Sequence, residues 1–436
     1  GQSPGKPDDF AVQAGSRSKR MTEEYMLTGL EEPRVLRDPI HGYIHIRSPL
    51  IWQLLDTPEF QRLRRIRQLG GVFQVYHTAE HSRFSHSLGV YEIVRRMTEE
   101  VPDIARELNQ REKLQVMCAA LLHDIGHGPF SHSFERLSAC SHEQMTINLI
   151  LQDTEIHRIL AAADSRLPAE TAAIIQGTHP KTLLCDMISG QLDADRMDYL
   201  LRDAYETGTS YGTFDLERIL RCLRVSSGRL CIKESGMHSV EDYIMARYHM
   251  YWQVYLHPVA RSFEVLLQLF FDRYSQIRQK TPIMLLENVY ELSQPCRFLE
   301  LDDYRLSAGL QQAAASSDRL LADLADRLLN RRLLDWVEDP SVRQQQALQK
   351  ALERLELPEE FYLKEDVAGS KVYLPYHESQ AQILVLDPRG QIHVLSERSA
   401  IVCALDKMEP VVTRRLYFPR ELYGDAGLEM AVKREK

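Results

Sequence analysis

From about residue 48 to residue 280, apolar side chains recur at the i, i+3, i+4, i+7 spacing of helices that bury one face. Leu114, Met117, Cys118 and Leu121 form one such stripe, and Val90, Val94 and Met97 continue another that begins at His86. Breakers at Gly70-Gly71, Pro102, Gly126–Pro129 and Gly208–Gly212 divide the stretch into separate helices. Ahead of it, residues 34–46 alternate around Asp38-Pro39-Ile40-His41-Gly42, which predicts an extended segment with a turn. A mostly helical stretch covers 283–353 and includes Leu320–Trp336. The pattern then changes: Gln382–Leu386 and Gln391–Leu395 flank Asp387-Pro388-Arg389-Gly390, a hairpin signal. Residues 1–24 are rich in Gly, Ser, Lys and Asp without any period and read as a flexible tail. The expected fold is mainly α: a helical core over 25–282, then a C-terminal helical and α+β region over 283–436.

Composition narrows the class without choosing a chemistry. The chain of 436 residues is 44% hydrophobic and 26% charged, ordinary for a globular protein with a sizeable core. No apolar run approaches the ~20 residues of a membrane span. With no signal-peptide pattern at the N-terminus, the expected location is cytoplasmic. The seven cysteines, at 118, 140, 185, 222, 231, 296 and 403, include no CxxC pair. They read as reduced thiols, neither a zinc ribbon nor a disulfide framework. A net charge of −9 argues against a general nucleic-acid binder. Arg62, Arg64, Arg65 and Arg67 form a local cationic cluster, and on spacing alone such a run is a solvated helix face.

The chemistry gathers at Leu121-Leu122-His123-Asp124-Ile125-Gly126-His127-Gly128-Pro129-Phe130-Ser131-His132. An apolar helix delivers an imidazole and a carboxylate side by side into the interior and is then broken at once. Burying both is costly unless something pairs with them, and a metal ion is the simplest partner. His86 lies on an inward stripe, although a lone histidine there is more often a satisfied core residue. Gln191-Leu192-Asp193-Ala194-Asp195-Arg196-Met197-Asp198-Tyr199 opens a further helix, on which Asp195, Tyr199 and Arg202 share a face. Spacing does not choose among Asp193, Asp195 and Asp198. Two His and two Asp ligands with open positions suit one divalent ion, Mn²⁺, Fe²⁺, Ni²⁺, Zn²⁺ or Mg²⁺.

The order H…HD…D resembles the HD phosphohydrolase superfamily. Longer segments resemble one branch of it, the deoxynucleoside triphosphate (dNTP) triphosphohydrolases of Gram-positive bacterial type, and more distantly the vertebrate enzyme that carries a SAM domain. They are Asp38-Pro39-Ile40-His41-Gly42, Asp56–Arg64, Gln68-Leu69-Gly70, His81–Gly89, His123–Phe134, Asp193–Asp203 and Tyr248–His257. The resemblance implies an HD-domain catalytic core that splits a dNTP into deoxynucleoside and inorganic triphosphate. It implies His86, His123, Asp124 and Asp195 as metal ligands, with additional Mg²⁺ arriving on the nucleotide. His132 and Glu135 match the family's catalytic His–carboxylate pair. Arg83, His127, His142 and Tyr199 match positions that meet the phosphates. Gln68, Leu69 and Asp203 match the deoxyribose pocket, and Arg247 and Tyr255 match further phosphate and base or sugar contacts.

The same resemblance gives the arginine cluster a second meaning. Asp56, Gln61 and Arg64, edged by Arg34 and Val35, match the family's activator site, which reads a guanine nucleotide such as dGTP or GTP between subunits. A homotetramer is therefore expected. Residues 61, 64, 65 and 68 fall near one helical face, so a single helix would run from that site to Gln68. Arg218 matches a basic residue near a second effector pocket, but Pro258 stands where the vertebrate enzyme has a lysine there. Competing readings are an HD phosphohydrolase for another nucleotide and a nucleotide-binding regulatory scaffold.

Overall fold

The computed structural model describes residues 29–130, 134, 141–290, 295–368, 382–408 and 412–424. Two short strands, β1 (Arg34–Asp38) and β2 (Gly42–Ile46), pair antiparallel across the Pro39–His41 turn, with Leu36 opposite Ile44. The helical body is built on α1 (Arg83–Glu100), α2 (Gln110–Leu122), α3 (His142–Leu151) and α4 (Ala194–Thr207). The starts of α2, α3 and α4 have local causes, a side-chain cap in each. Asn109 and Glu112 close a capping box on α2, and Asp193 accepts from Arg196 N to cap α4. Gly208 ends α4 in the left-handed conformation that glycine adopts at low cost.

Helix α1 packs against both α2 and α4. Gly89 makes the α1–α4 approach possible, because a Cβ there would sit 1.8 Å from Asp198 Oδ1. One apolar core gathers Val90, Val94 and Met97 with Ala119 and Met197. The other runs from Ile44 through the inner face of α6 (Pro258–Ile277) to Phe418. Between α4 and α6 lies α5 (Met237–Met250), which continues as one π-helical segment over Tyr251–Tyr255.

Beyond α6, α7 (Asp303–Ala314) and α8 (Arg319–Leu329) pack on each other, and α8 also packs on α6. Three expectations change here. The stretch before residue 280 is not helical throughout: β3 (Leu223–Ser226) and β4 (Arg229–Lys233) form a hairpin around Ser227-Gly228. Leu320–Trp336 is not one helix either. Helix α8 stops at Leu329, Arg331 turns with φ +53°, and β5 (Leu334–Glu338) follows. The strand wins because β9 (Thr413–Pro419) supplies its partner, with β6 (Lys364–Ala368) on the other side. Finally, the expected hairpin of β7 (Leu384–Leu386) and β8 (Ile392–Val394) is not a separate appendage. It extends the β3–β4 sheet through parallel pairing of β7 with β4.

Candidate metal centre and adjoining cleft

Helices α1, α2 and α4 bring His86, His123 and Asp195 together, one donor atom from each lying within 4.8 Å of the others. The two imidazoles meet edge to face, 5.3 Å apart at 77°. His86 Nε2 is 3.0 Å from Asp195 Oδ1, and His123 Nε2 is 3.7 Å from the same oxygen. Asp124 is beside them, 3.4 Å from His123 Nε2, but its other oxygen is ion-paired with Arg83. His123 donates through Nδ1 to Ala120 O at 2.8 Å, which turns Nε2 inward. That buried Nε2 makes no hydrogen bond among the described residues. An imidazole lone pair aimed at two carboxylates and a second imidazole fits a divalent cation.

The surroundings are themselves polar and buried. Asp198 accepts from His86 Nδ1 at 2.8 Å, His41 Nε2 at 2.7 Å and Arg202 Nε at 2.9 Å. Arg202 reaches on to Asp38 at 2.9 Å, tying the β1–β2 turn to the centre. Burial pushes the Asp198 carboxyl up, but Arg202, His41 and His86 outweigh it and hold the group well below its usual range. Burial pulls His86 down, yet Asp195 and Asp198 raise it to about 10. Burial lowers His127, and Arg83 and His142 lower it further, so that imidazole is neutral.

A cavity of about 330 Å³ opens beside the cluster. Of the predicted substrate residues, Gln68, Leu69, Arg83, Tyr199, Asp203 and Tyr255 line it, together with Asp195. Asp203 is held at both oxygens, by His81 Nε2 at 2.7 Å and by Tyr255 Oη at 2.8 Å. His127, His142 and Arg247 stand elsewhere. His127 stacks on His142 at 3.9 Å with its Nε2 3.3 Å from Asp124, whereas Arg247 is buried against Gln191 at 3.0 Å. The expected catalytic pair His132 and Glu135 lies outside the described residues.

The predicted activator residues also have definite places. Arg34 lies over the Trp52 ring at 5.7 Å, and Val35 is exposed. Asp56 caps the C-terminus of the helix Pro49–Leu55, and Gln61 Nε2 donates to Leu55 O at 2.8 Å. Arg64 donates to Gln61 at 2.8 Å and stacks over Phe84 at 3.6 Å. Arg218 bonds Ser235 O at 3.0 Å. The single helix expected over 61–68 is absent. Pro58–Gln61 is a short α turn, Arg62–Arg65 is a 3-10 turn, and Ile66 is extended. Arg67 then bridges to Ser82, and Gln68 N donates to His81 O.

Nor is the cluster a solvated face. Arg62 is buried and donates to Leu301 O and His127 O, Arg65 pairs with Asp302, and Asp303 accepts from Arg67 N. Sequence reasoning left His41, His81, Arg202, Arg261 and Glu264 without a role. His41 and His81 sit inside quoted motifs, which was signal enough to test them. Arg261 and Glu264 carry no motif.

Comparison with known proteins agrees with this geometry. Residues 83–203 match the HD domain model and residues 214–426 match the HD associated region. The chain is 43% identical over 412 residues to the uncharacterised protein YwfO of Bacillus subtilis, covering 91% of this chain and 94% of that one. The chain belongs to the HD-domain phosphohydrolase family. A phosphohydrolase of Bacteroides thetaiotaomicron superposes with a TM-score of 0.80 at 28% identity, covering 89% of this chain and all of that chain. Deoxynucleoside triphosphate triphosphohydrolase SAMHD1 of Danio rerio is 31% identical over 54% of this chain and 44% of its own length. The chain thus spans about half the length of that HD-family relative. Among the described residues, no helix is long and apolar enough to cross a membrane.

Proposed function

We propose that this HD-family hydrolase cleaves dNTPs to deoxynucleoside and inorganic triphosphate. The observation that carries the reading is one cleft walled at one end by Asp195 and Arg83 and at the other by Asp203 and Tyr255. A volume of about 330 Å³ suits a nucleotide-sized ligand. His86, His123, Asp124 and Asp195 would hold the ion, which when bound polarises a phosphoryl oxygen and activates water.

The chain's own groups supply the rest. Arg83 offers a guanidinium fork to the phosphates, although its pairing with Asp124 must loosen for it to do so. Tyr199 meets the phosphates from the cleft lining, His127 and His142 act from behind Asp124 through their stacked pair, and Arg247 acts from its buried contact with Gln191. Asp203, fixed by His81 and Tyr255, accepts from the sugar 3′-OH. Gln68 joins it, and Leu69 crowds C2′ against a ribonucleotide. His132, oriented by Glu135, protonates the departing 5′-oxygen as general acid. Asp56, Gln61 and Arg64, with Arg34 and Val35, take a guanine nucleotide between subunits of a cytoplasmic homotetramer, and Arg218 borders a second effector pocket.

Product analysis tests this directly. Each dNTP is incubated with Mn²⁺ or Mg²⁺, with and without dGTP or GTP. Deoxynucleoside plus intact triphosphate is the expected result, rising when the second nucleotide is present. No triphosphate under any combination sinks the reading and leaves another HD substrate or a regulatory scaffold.

A further inference from the structure

Glu264 has no part in the reaction as described, yet it lines the same cleft. It stands one helical turn after Arg261 on α6, and the two interact side chain to side chain. Arg261 is already neutralised: its Nε and one terminal nitrogen meet Asp366 of β6 at 3.0 and 2.6 Å as a two-pronged pair. Its other terminal nitrogen donates to Glu264 Oε2. One guanidinium therefore faces two carboxylates, and this wall of the cleft carries an excess negative charge. Glu264 Oε1 makes no hydrogen bond among the described residues and borders Gly70, 3.6 Å from where a Cβ there would stand. Only a minor part of the side chain, 18%, is exposed.

A structural counter-ion for Arg261 does not require this second carboxylate, since Asp366 fills that role with both oxygens. A carboxylate oxygen that faces solvent in the open cleft loses its water when a ligand fills the space, which is unfavourable unless the ligand brings an N–H to it. Phosphate and sugar hydroxyls are served by Arg83 and Asp203 on other walls. What remains of a nucleotide is the base, which carries an amine donor at the 6-position of adenine and the 4-position of cytosine. Guanine and thymine present a carbonyl oxygen at the matching positions instead.

We infer that Glu264 is a specificity-determining residue that accepts from the amine of adenine or cytosine and disfavours guanine and thymine. The discrimination combines attraction and repulsion, because a guanine or thymine carbonyl would face the carboxylate oxygen lone pair to lone pair. Arg261 and Asp366 act as positioning residues that hold Glu264 at the wall.

This inference rests on the dNTP reading, so its test uses binding as well as turnover. The full chain and Glu264→Gln are compared for all four dNTPs in Mn²⁺, with GTP fixed, by kcat/KM and by calorimetric binding. Gln keeps the volume and still accepts from Arg261, so the fold is retained. Wild type should prefer dATP and dCTP over dGTP and dTTP by roughly ten- to a hundredfold, the range for a hydrogen bond to a charged group. In Glu264→Gln that ratio should collapse, with dGTP and dTTP improving because the amide N–H can meet their carbonyls. A wild type that binds dCTP and dTTP equally, or a variant that shifts all four alike, overturns the role of Glu264. Base discrimination in binding without triphosphate release supports Glu264 and overturns only the hydrolysis reading. No binding of any dNTP overturns both.

Discussion

Helix α4 and the segment 61–68 are both rich in charge, and they are organised by opposite means. On α4, Asp195, Asp198, Arg202 and Asp203 follow the helical period, so one element carries a candidate metal donor, the carboxylate that supports His86 and a cleft residue. The segment 61–68 carries four arginines on no continuous helix, and each goes to a different partner. Arg62 reaches Leu301 O, 239 positions away, and Arg67 N is bound by Asp303. Local period decides position in the first region. Long-range acceptors at the start of α7 decide it in the second, because a buried guanidinium must find carbonyls or carboxylates wherever the fold presents them.

If α4 and its neighbours work as one metal-binding unit, removing a ligand has the largest effect. His123→Ala is expected to lose the bound ion and to cut turnover by more than about a hundredfold, beyond what losing an outer-shell partner does. Elemental analysis of the purified protein alongside triphosphate release checks both. Retained metal with full activity would dissolve the unit. Asp198→Asn comes next, since it weakens the grip on His86 Nδ1 while leaving every donor in place. Metal affinity should fall by roughly ten- to a hundredfold, read by competition with a chelating dye. An unchanged affinity would leave Asp198 a structural partner of Arg202 and His41.

The arginine segment should respond in stability instead. Arg62→Met leaves Leu301 O and His127 O without their donor in a buried site. We expect a loss of about 2–4 kcal/mol, from urea unfolding midpoints. Asp303→Ala removes the carboxylate that accepts from both Arg67 N and Phe130 N, at 2.9 and 3.0 Å. That single group joins the arginine segment to the chain leading into the expected catalytic pair, so stability should drop by about 2 kcal/mol. Turnover should fall while metal content holds. Loss of metal in either variant would erase the distinction between the two regions.

What the sequence made legible follows the same division. The helical body, the β1–β2 turn and the β7–β8 hairpin were readable because period and turn residues are local signals. The stripe from His86 and the apolar run before His123 pointed inward for that reason, and α1 and α2 bury both residues. Choosing Asp195 over Asp193 and Asp198 needed a family pattern, since three carboxylates on one helix start differ only in what faces them. Asp193 turns out to cap the helix and Asp198 to support His86. Strand β5 was illegible because its partner β9 lies far along the chain, whereas the β3–β4 hairpin is local and its Ser227-Gly228 turn was a signal passed over. His81 is different: its motif marked it, but not its partner, because only packing of α1 against α4 brings Asp203 to it.

Arg64 should give the smallest structural effect and the sharpest test of the arginine segment. It is exposed, it donates to Gln61 three residues earlier, and its guanidinium covers Phe84. A cation–π contact at such a site contributes about 0.5–1 kcal/mol, so Arg64→Ala should shift the unfolding midpoint little. Metal content should not change, since Arg64 contacts no residue of the donor cluster. If this arginine reads an activating nucleotide, the rise in turnover on adding dGTP or GTP should disappear while basal turnover persists. Phe84 sits in α1 two residues before His86, which gives the guanidinium a short path to the metal-bearing helix. An activation curve identical to wild type would leave Arg64 as surface packing on Phe84. The segment would then be structural throughout, with Arg62 serving the buried fold, Arg65 and Arg67 their acidic partners, and Arg64 nothing beyond surface packing.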